Sequence, residues 1–257
     1  MDGLVYRSAG ITLNWHIPAD AEQAHESQEI RHAWRCRRCG ASGSSLSLGM
    51  TARCYYCNEE INKSDMLEFL VPAGFAVDFY SKPDNDVSTQ QFIPVEAPWI
   101  NAQGEWIPLS NPALGRFRLS TEGHVFHHSR GLHGNGYAVC LACGRAEPMS
   151  AKGERPRVFE HHHKKLRRAS EEEKFCPGDT WMIKEGIVFG HESRTDIFEI
   201  QLRNRDGLWL DDHVAARTLA VALRDSLAEL IGIQTTELGC DVKQTQPEPG
   251  VRCQSIL

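Results

Sequence analysis

Apolar residues along this chain fall mostly in short alternating runs, the period-two pattern of half-buried strands. Val5, Ile11, Leu13, Trp15 and Ile17 alternate in part with polar neighbours and predict one or two strands that end at Pro18. Residues 19–30 are polar, lack an apolar stripe, and read as a loop or short surface helix. The apolar block 66–80 is split by Pro72 and Gly74, so two short strands are expected in place of a helix. From Pro98 to Val139 the pattern is all-β. Trp99, Trp106, Phe117, Leu119, Val125, Phe126, Tyr137 and Val139 recur between glycines, and residues 121–124 predict a hairpin turn. Residues 181–183, 187–189 and 196–202 continue the strand series, and the run 253–257 reads as the start of another strand.

One helix stands out, over 210–231. Ala216, Leu219, Leu223, Leu227 and Leu230 recur three or four positions apart, the spacing of a single apolar face. Asp211 or Asp212 precedes it as an N-cap, and Gly232 follows as a stop. The expected fold is therefore α+β and strand-rich, with one long C-terminal helix packed on a sheet. The polar stretch 81–95, with Pro83 and Pro94, is the weakest point of the first half. It separates a region 1–80 from a region 81–257.

Composition changes this picture little, except in its cysteines. The chain has 257 residues, 41% hydrophobic and 24% charged, with a formal net charge of −6. That balance is ordinary for a globular protein and argues against binding a polyanion through bulk charge. No apolar run approaches the roughly 18 residues that a membrane span needs. The N-terminus lacks the charged-then-apolar pattern of a signal peptide. A cytoplasmic protein is the expectation.

Nine cysteines in a reducing compartment favour metal over disulfides. Cys36 and Cys39 form one C-x-x-C pair and Cys54 and Cys57 another, separated by fourteen residues rich in Gly and Ser. This is the spacing of a zinc ribbon, and four thiolates suit tetrahedral Zn²⁺. A third pair, Cys140 and Cys143, is followed by His161, His162 and His163 and then by Cys176, which supplies the parts of a second closed site. Spacing alone does not choose among three adjacent histidines. Gly40 and Gly144 follow the second cysteine of their pairs, where the backbone must turn so that its N–H groups approach sulfur. Four protein ligands leave no open position for water or substrate, so both sites are expected to be structural.

Between Cys143 and Cys176 lies the most basic part of the chain. Residues 152–168 hold seven Lys/Arg against Glu154 and Glu160, before Glu171, Glu172 and Glu173 reverse the sign. Arg155, Arg157, Lys164, Lys165, Arg167 and Arg168 are the candidate phosphate contacts, acting through counterion release without reading sequence. Arg35, Arg37 and Arg38 crowd the first cysteine pair and offer further ones.

Catalytic motifs are missing. The sequence has no G-x-x-x-x-G-K-[ST] phosphate loop, no H-E-x-x-H helix and no G-x-S-x-G elbow. His124, His127, His128 and His133 lie close together, but strand histidines at such spacings alternate faces and no acidic partner adjoins them. The segment with Asp211, Asp212 and His213 sits where a helix needs a cap. His191, Glu192 and Asp196 are the better constellation for a metal-dependent hydrolase or nuclease, if the three side chains converge.

Residues 137–145, the Cys176-Pro177-Gly178 turn, residues 190–197 and the helix end at Leu230-Ile231-Gly232-Ile233 together carry a resemblance. Over roughly residues 130–257 the chain resembles the zinc-binding domain of unknown function found C-terminal to the motor of some DEAD/DEAH-box helicases. The same domain occurs in the DISARM anti-phage subunit DrmB, which accompanies a separate helicase. Its pattern of a C-x-x-C-G knuckle, a His with a Leu three positions on, and a Cys-x-Gly maps onto Cys140, Cys143, His163 (with Leu166) and Cys176. The resemblance implies a non-catalytic accessory to a helicase motor subunit or domain, with nucleic acid, expected to be DNA, as the other partner, in repair or phage defence. Family members continue into a glycine-rich segment beyond the point where this sequence ends, and the motor is absent from it. A protein-interaction scaffold, whose basic stretch meets an acidic partner, is the remaining expectation.

Overall fold

The computed structural model describes residues 8–12, 30–46, 53–77, 93–94, 96–166, 174–176, 178 and 180–257. The strands in chain order are β1 (Ser8–Ile11), β2 (Arg31–Arg35), β3 (Ser42–Ser45), β4 (Met66–Leu70), β5 (Phe75–Val77), β6 (Trp99–Asn101) and β7 (Ile107–Pro108). They continue with β8 (Gly115–Ser129), β9 (Tyr137–Cys140), β10 (Ala146–Pro148), β11 (Ile183–Leu202), β12 (Val242–Glu248) and β13 (Val251–Ile256). The single α-helix among the described residues, α1, spans His213–Ile231. Eleven of the strands share one sheet, and β1 pairs with β5 apart from it. Strands from both sides of the 80/81 boundary join the large sheet, and the boundary itself lies outside the described residues.

The sheet is built on β11. Phe189 is flanked by Ser129 of β8 and Leu70 of β4, and Ile200 by Phe117 of β8 and Ile256 of β13. So β8 runs along one edge of β11, while β4 and β13 take the other. Its length comes from fusion of the three predicted apolar runs. The sheet curls so that Ala33, Phe69, Phe126 and Val188 meet in a buried cluster, with Leu67 and Trp99 beside them.

The two short strands expected in 66–80 are β4 and β5, and the terminal apolar run is β13. Of the N-terminal alternating pattern, Ile11 lies in β1, whereas Val5, Leu13, Trp15 and Ile17 fall outside the described residues. Residues 121–124 do not turn. They lie within the continuous strand β8, opposite a register shift between Thr195 and Ile197. Gly123 is there for space: a Cβ at this position would sit 2.2 Å from the Ile197 Cδ1 methyl.

Helix α1 is capped as its sequence predicts. Asp212 accepts from the Val214 and Ala215 amides at 2.9 and 3.1 Å, and Gly232 closes the helix at φ 74°. The buried face differs from the leucine stripe. Ala216, Ala220 and Ala228 are buried, while Leu223 is 42% and Leu230 82% exposed. Alanines four apart let the helix axis approach the β12–β13 hairpin closely, around Ile200, Val242 and Ile256. The leucine row is thereby turned to the flank.

Candidate metal centres

Three turns of the chain share one backbone design. The Cys36, Cys54 and Cys140 amides donate to Ala41, Glu59 and Arg145 carbonyls at 2.7, 2.8 and 2.8 Å. The Gly40, Asn58 and Gly144 amides donate back to the first-cysteine carbonyls at 2.9, 2.9 and 2.8 Å. Each returning residue has a left-handed backbone, with φ 71°, 57° and 78°. Glycine meets this need without cost, and asparagine is the next best tolerated residue. Asn58 is the single described non-glycine residue with positive φ, and its place after Cys57 identifies a knuckle that a search for C-x-x-C-G misses.

The first two knuckles face each other. Cys36 Sγ lies 3.5 Å from Cys57 Sγ, and Cys39 Sγ 3.6 Å from Cys54 Sγ. The ligand atoms of all four lie within 4.8 Å of one another. Trp34, Ala41, Ile61 and Met66 pack around them. The third knuckle completes its set differently. His163 and Cys176 are brought together by a short antiparallel bridge, in which the Cys176 amide donates to the His163 carbonyl at 2.9 Å and Lys164 faces Phe175. Cys140 Sγ lies 3.7 Å from Cys176 Sγ, and Cys143 Sγ 3.2 Å from His163 Nε2. The Gly178 amide donates to the Cys176 sulfur at 3.3 Å. The Phe159 ring stands edge-on to His163, with centroids 5.1 Å apart. His161 and His162 are exposed and stand outside the cluster.

These separations suit a tetrahedral metal. With Zn–S bonds of about 2.3 Å, two sulfurs of a tetrahedron lie about 3.8 Å apart, whereas a disulfide needs about 2.05 Å. All nine cysteines are free thiols. Both tetrads can hold a metal ion. The electrostatics point the same way. In the first tetrad a hydrogen bond from Cys39 brings the Cys36 thiol down to about 5 in spite of burial, helped by the Cys39 and Arg38 amides. Its neighbours move oppositely: Cys36 pushes Cys39 far up, and burial raises Cys57 to about 11. In the second tetrad Cys140 and Cys143 hold Cys176 far below the ordinary thiol range, while Cys143 is pushed far up by Cys140 and Cys176. Burial opposes charge on His163, but Cys140 and Cys176 outweigh it and raise the imidazole to about 9. Each tetrad therefore accommodates one thiolate readily and resists the next. A divalent cation removes that conflict.

The remaining candidates are dispersed. Arg155 is paired with Glu185, Arg157 and Lys164 are exposed, and Lys165 is partly covered. Arg167 and Arg168 lie outside the described residues. The hydrolase constellation does not assemble. His191 and Glu192 are consecutive in β11 and so point to opposite faces. Glu192 accepts from Arg31 at 3.3 Å and meets His124 Nε2 at 2.8 Å. Asp196 is exposed at the register shift. Among the described residues these three form no metal-ligating group.

Two features escape a reading of the sequence. Arg118, Arg116 and Arg203 interleave with Trp106 and Trp209 in a continuous stack, with guanidinium-to-ring distances of 4.7, 4.6, 4.9 and 3.9 Å. Beneath it Glu199 Oε2 accepts from Arg118 at 2.6 Å and from Lys243 at 3.2 Å, with both Glu199 and Lys243 buried. The available signal was alternation: Arg116 and Arg118 share one face of β8, opposite Gln201 and Glu199 of β11. This polar layer abuts the first knuckle, where a Cβ at Gly40 would meet Thr245 and Lys243.

Among the described residues no helix is long and apolar enough to cross a membrane. No family model matches the chain, and neither a curated protein nor a solved structure does.

Proposed function

We propose that this protein is a zinc-stabilised, non-catalytic accessory module that helps a helicase system hold nucleic acid. The observation that carries the reading is the pair of closed tetrads, Cys36–Cys39–Cys54–Cys57 and Cys140–Cys143–His163–Cys176. Soft thiolate ligands with one imidazole, in tetrahedral spacing, favour Zn²⁺ over magnesium or calcium, which take oxygen ligands. With all four positions filled by protein, the ion would serve as a staple that cross-links strands distant in sequence. It would supply no activated water.

Support for the nucleic-acid and helicase parts is of another kind. It comes from the local basic excess in 152–168 and from the resemblance carried by Cys140, Cys143, His163 and Cys176. A helicase motor is the partner on this reading, with DNA as the polymer and repair or phage defence as the setting. The experiment is fluorescence anisotropy with single-stranded and duplex DNA across a salt series, followed by addition of the chain to a helicase assay. Binding that weakens steeply with salt is expected. Absence of DNA binding at low salt, with helicase activity unmoved, would overturn the reading.

A further inference from the structure

A cavity of about 500 Å³ opens where the curled sheet ends beside the first knuckle. Its walls come from distant parts of the chain: Arg35 and Arg37 flank Cys36, Trp99 leads β6, and His128 and Arg130 stand at the end of β8. Two of its basic side chains are already engaged or near acids. Arg37 is bound to Asp65 and to Ser64, and His128 Nε2 lies 3.9 Å from Glu96. The other two are not. Among the described residues neither Arg35 nor Arg130 has a carboxylate within ion-pair distance, and both are half-buried. His128 lies behind these walls as buried support for them. Its side chain is 3% exposed, and its Nδ1 atom has no hydrogen-bond partner. Aromatic rings continue the site: the Trp99 ring is tilted against the His128 ring at 5.2 Å between centroids, and His128 stacks on Phe126.

Unpaired guanidiniums in a concave site attract oxyanions, and their fork geometry matches phosphate. The volume falls within the range of small-molecule and cofactor sites and exceeds what a bare phosphate ion fills. The Arg–Trp stack, by contrast, is a poor anion site. Its guanidiniums already face rings, and Arg118 and Arg116 are bonded to Glu199 and Gln201.

We propose that this pocket is a phosphate-binding cleft of nucleotide size, in which Arg35 and Arg130 take the phosphate oxygens beside the Trp99 and His128 rings. It deepens the accessory reading and rests on it for the polymer: the phosphate is that of a nucleic-acid chain, held next to the first metal centre.

The test uses the full zinc-loaded chain with two probes, 5′-AMP and a short fluorescein-labelled oligothymidylate, each followed across a salt series. Arg130→Gln, checked for unchanged zinc content and melting, is expected to weaken the oligonucleotide about tenfold and to lower its salt slope by about one. It should also abolish the quenching of indole fluorescence by 5′-AMP. Equal binding of both probes by wild type and Arg130→Gln would overturn the cleft. Binding of 5′-AMP through Arg130 without any oligonucleotide binding would keep the cleft, assign it to free nucleotides, and overturn the accessory function alone. Were Arg130→Gln to lose zinc, quenching by 5′-AMP that disappears in Trp99→Phe would report the same pocket, and its persistence there would refute the site.

Discussion

Cys143 Sγ lies 3.2 Å from His163 Nε2, although twenty positions separate them in the chain. The contact links the knuckle after β9 to the far side of the basic loop, and it selects one histidine of three. His163→Ala should reduce bound zinc from two ions to one per chain, leaving the four-cysteine site loaded. His161→Ala and His162→Ala should keep both ions, because their side chains are exposed and outside the tetrad. Zinc quantification on the three purified variants checks this. Retention of both ions in all three would mean that the histidines are interchangeable, and loss confined to His161→Ala or His162→Ala would move the ligand there.

The buried Glu199–Lys243 pair gives a second prediction. Removing one partner of a fully desolvated ion pair strands the other, at a cost of about 3–5 kcal/mol. Glu199→Gln should therefore lower stability by that order in denaturant titrations. Arg118 and Lys243 both converge on Oε2 of Glu199, so the two cations lose one negative charge together. Replacing the whole group, as Arg118→Leu/Glu199→Leu/Lys243→Met, strands no charge and should recover much of the loss. A single variant as stable as wild type would show that solvent reaches the pair.

Helix α1 makes the third. Ala220 is buried against the sheet and Leu230 is 82% exposed. Ala220→Leu should overpack the contact with the β12–β13 hairpin and cost about 1–3 kcal/mol. Leu230→Glu should stay within about 0.5 kcal/mol of wild type. A reversal of these two effects in thermal melts would mean that the leucine row is the buried one.

The fourth concerns pH. Burial lowers the His128 pKa below its usual 6.5; Arg130 and Arg35 act in the same direction, and Glu96 opposes them. Below pH 6.5 the unfolded chain takes up a proton that the folded chain resists, so stability falls as pH drops from 6.5 toward the folded pKa. His128→Phe removes this penalty and keeps an aromatic ring against Phe126. Its stability relative to wild type should rise between pH 7.5 and pH 5.5, as read by paired denaturant titrations. A difference independent of pH would indicate that His128 titrates normally.

Much of this architecture was legible in the chain. Local rules carried it: alternation for β8, β11 and β13, Asp212 and Gly232 for the ends of α1, and C-x-x-C spacing for three knuckles. What failed depended on tertiary neighbours. Leucine periodicity set the apolar face too far round the helix: Ala216 is buried as expected, but close approach to a sheet favours alanine and turns the leucines to the flank. Gly123 resembled a turn residue but serves to admit Ile197. His191, Glu192 and Asp196 were close in sequence, yet strand alternation and a register shift part them. The Arg35–Arg130 pocket was invisible, since its walls meet only when the sheet curls.

Metal content decides whether two ions staple this fold. Protein purified without added chelator or metal should contain close to two zinc atoms per chain by elemental analysis. X-ray absorption should show sulfur at about 2.3 Å with a minor nitrogen component, the average of a four-sulfur and a three-sulfur site. Removal of the zinc should unfold both knuckle regions. A folded chain with no tightly bound metal would contradict the account.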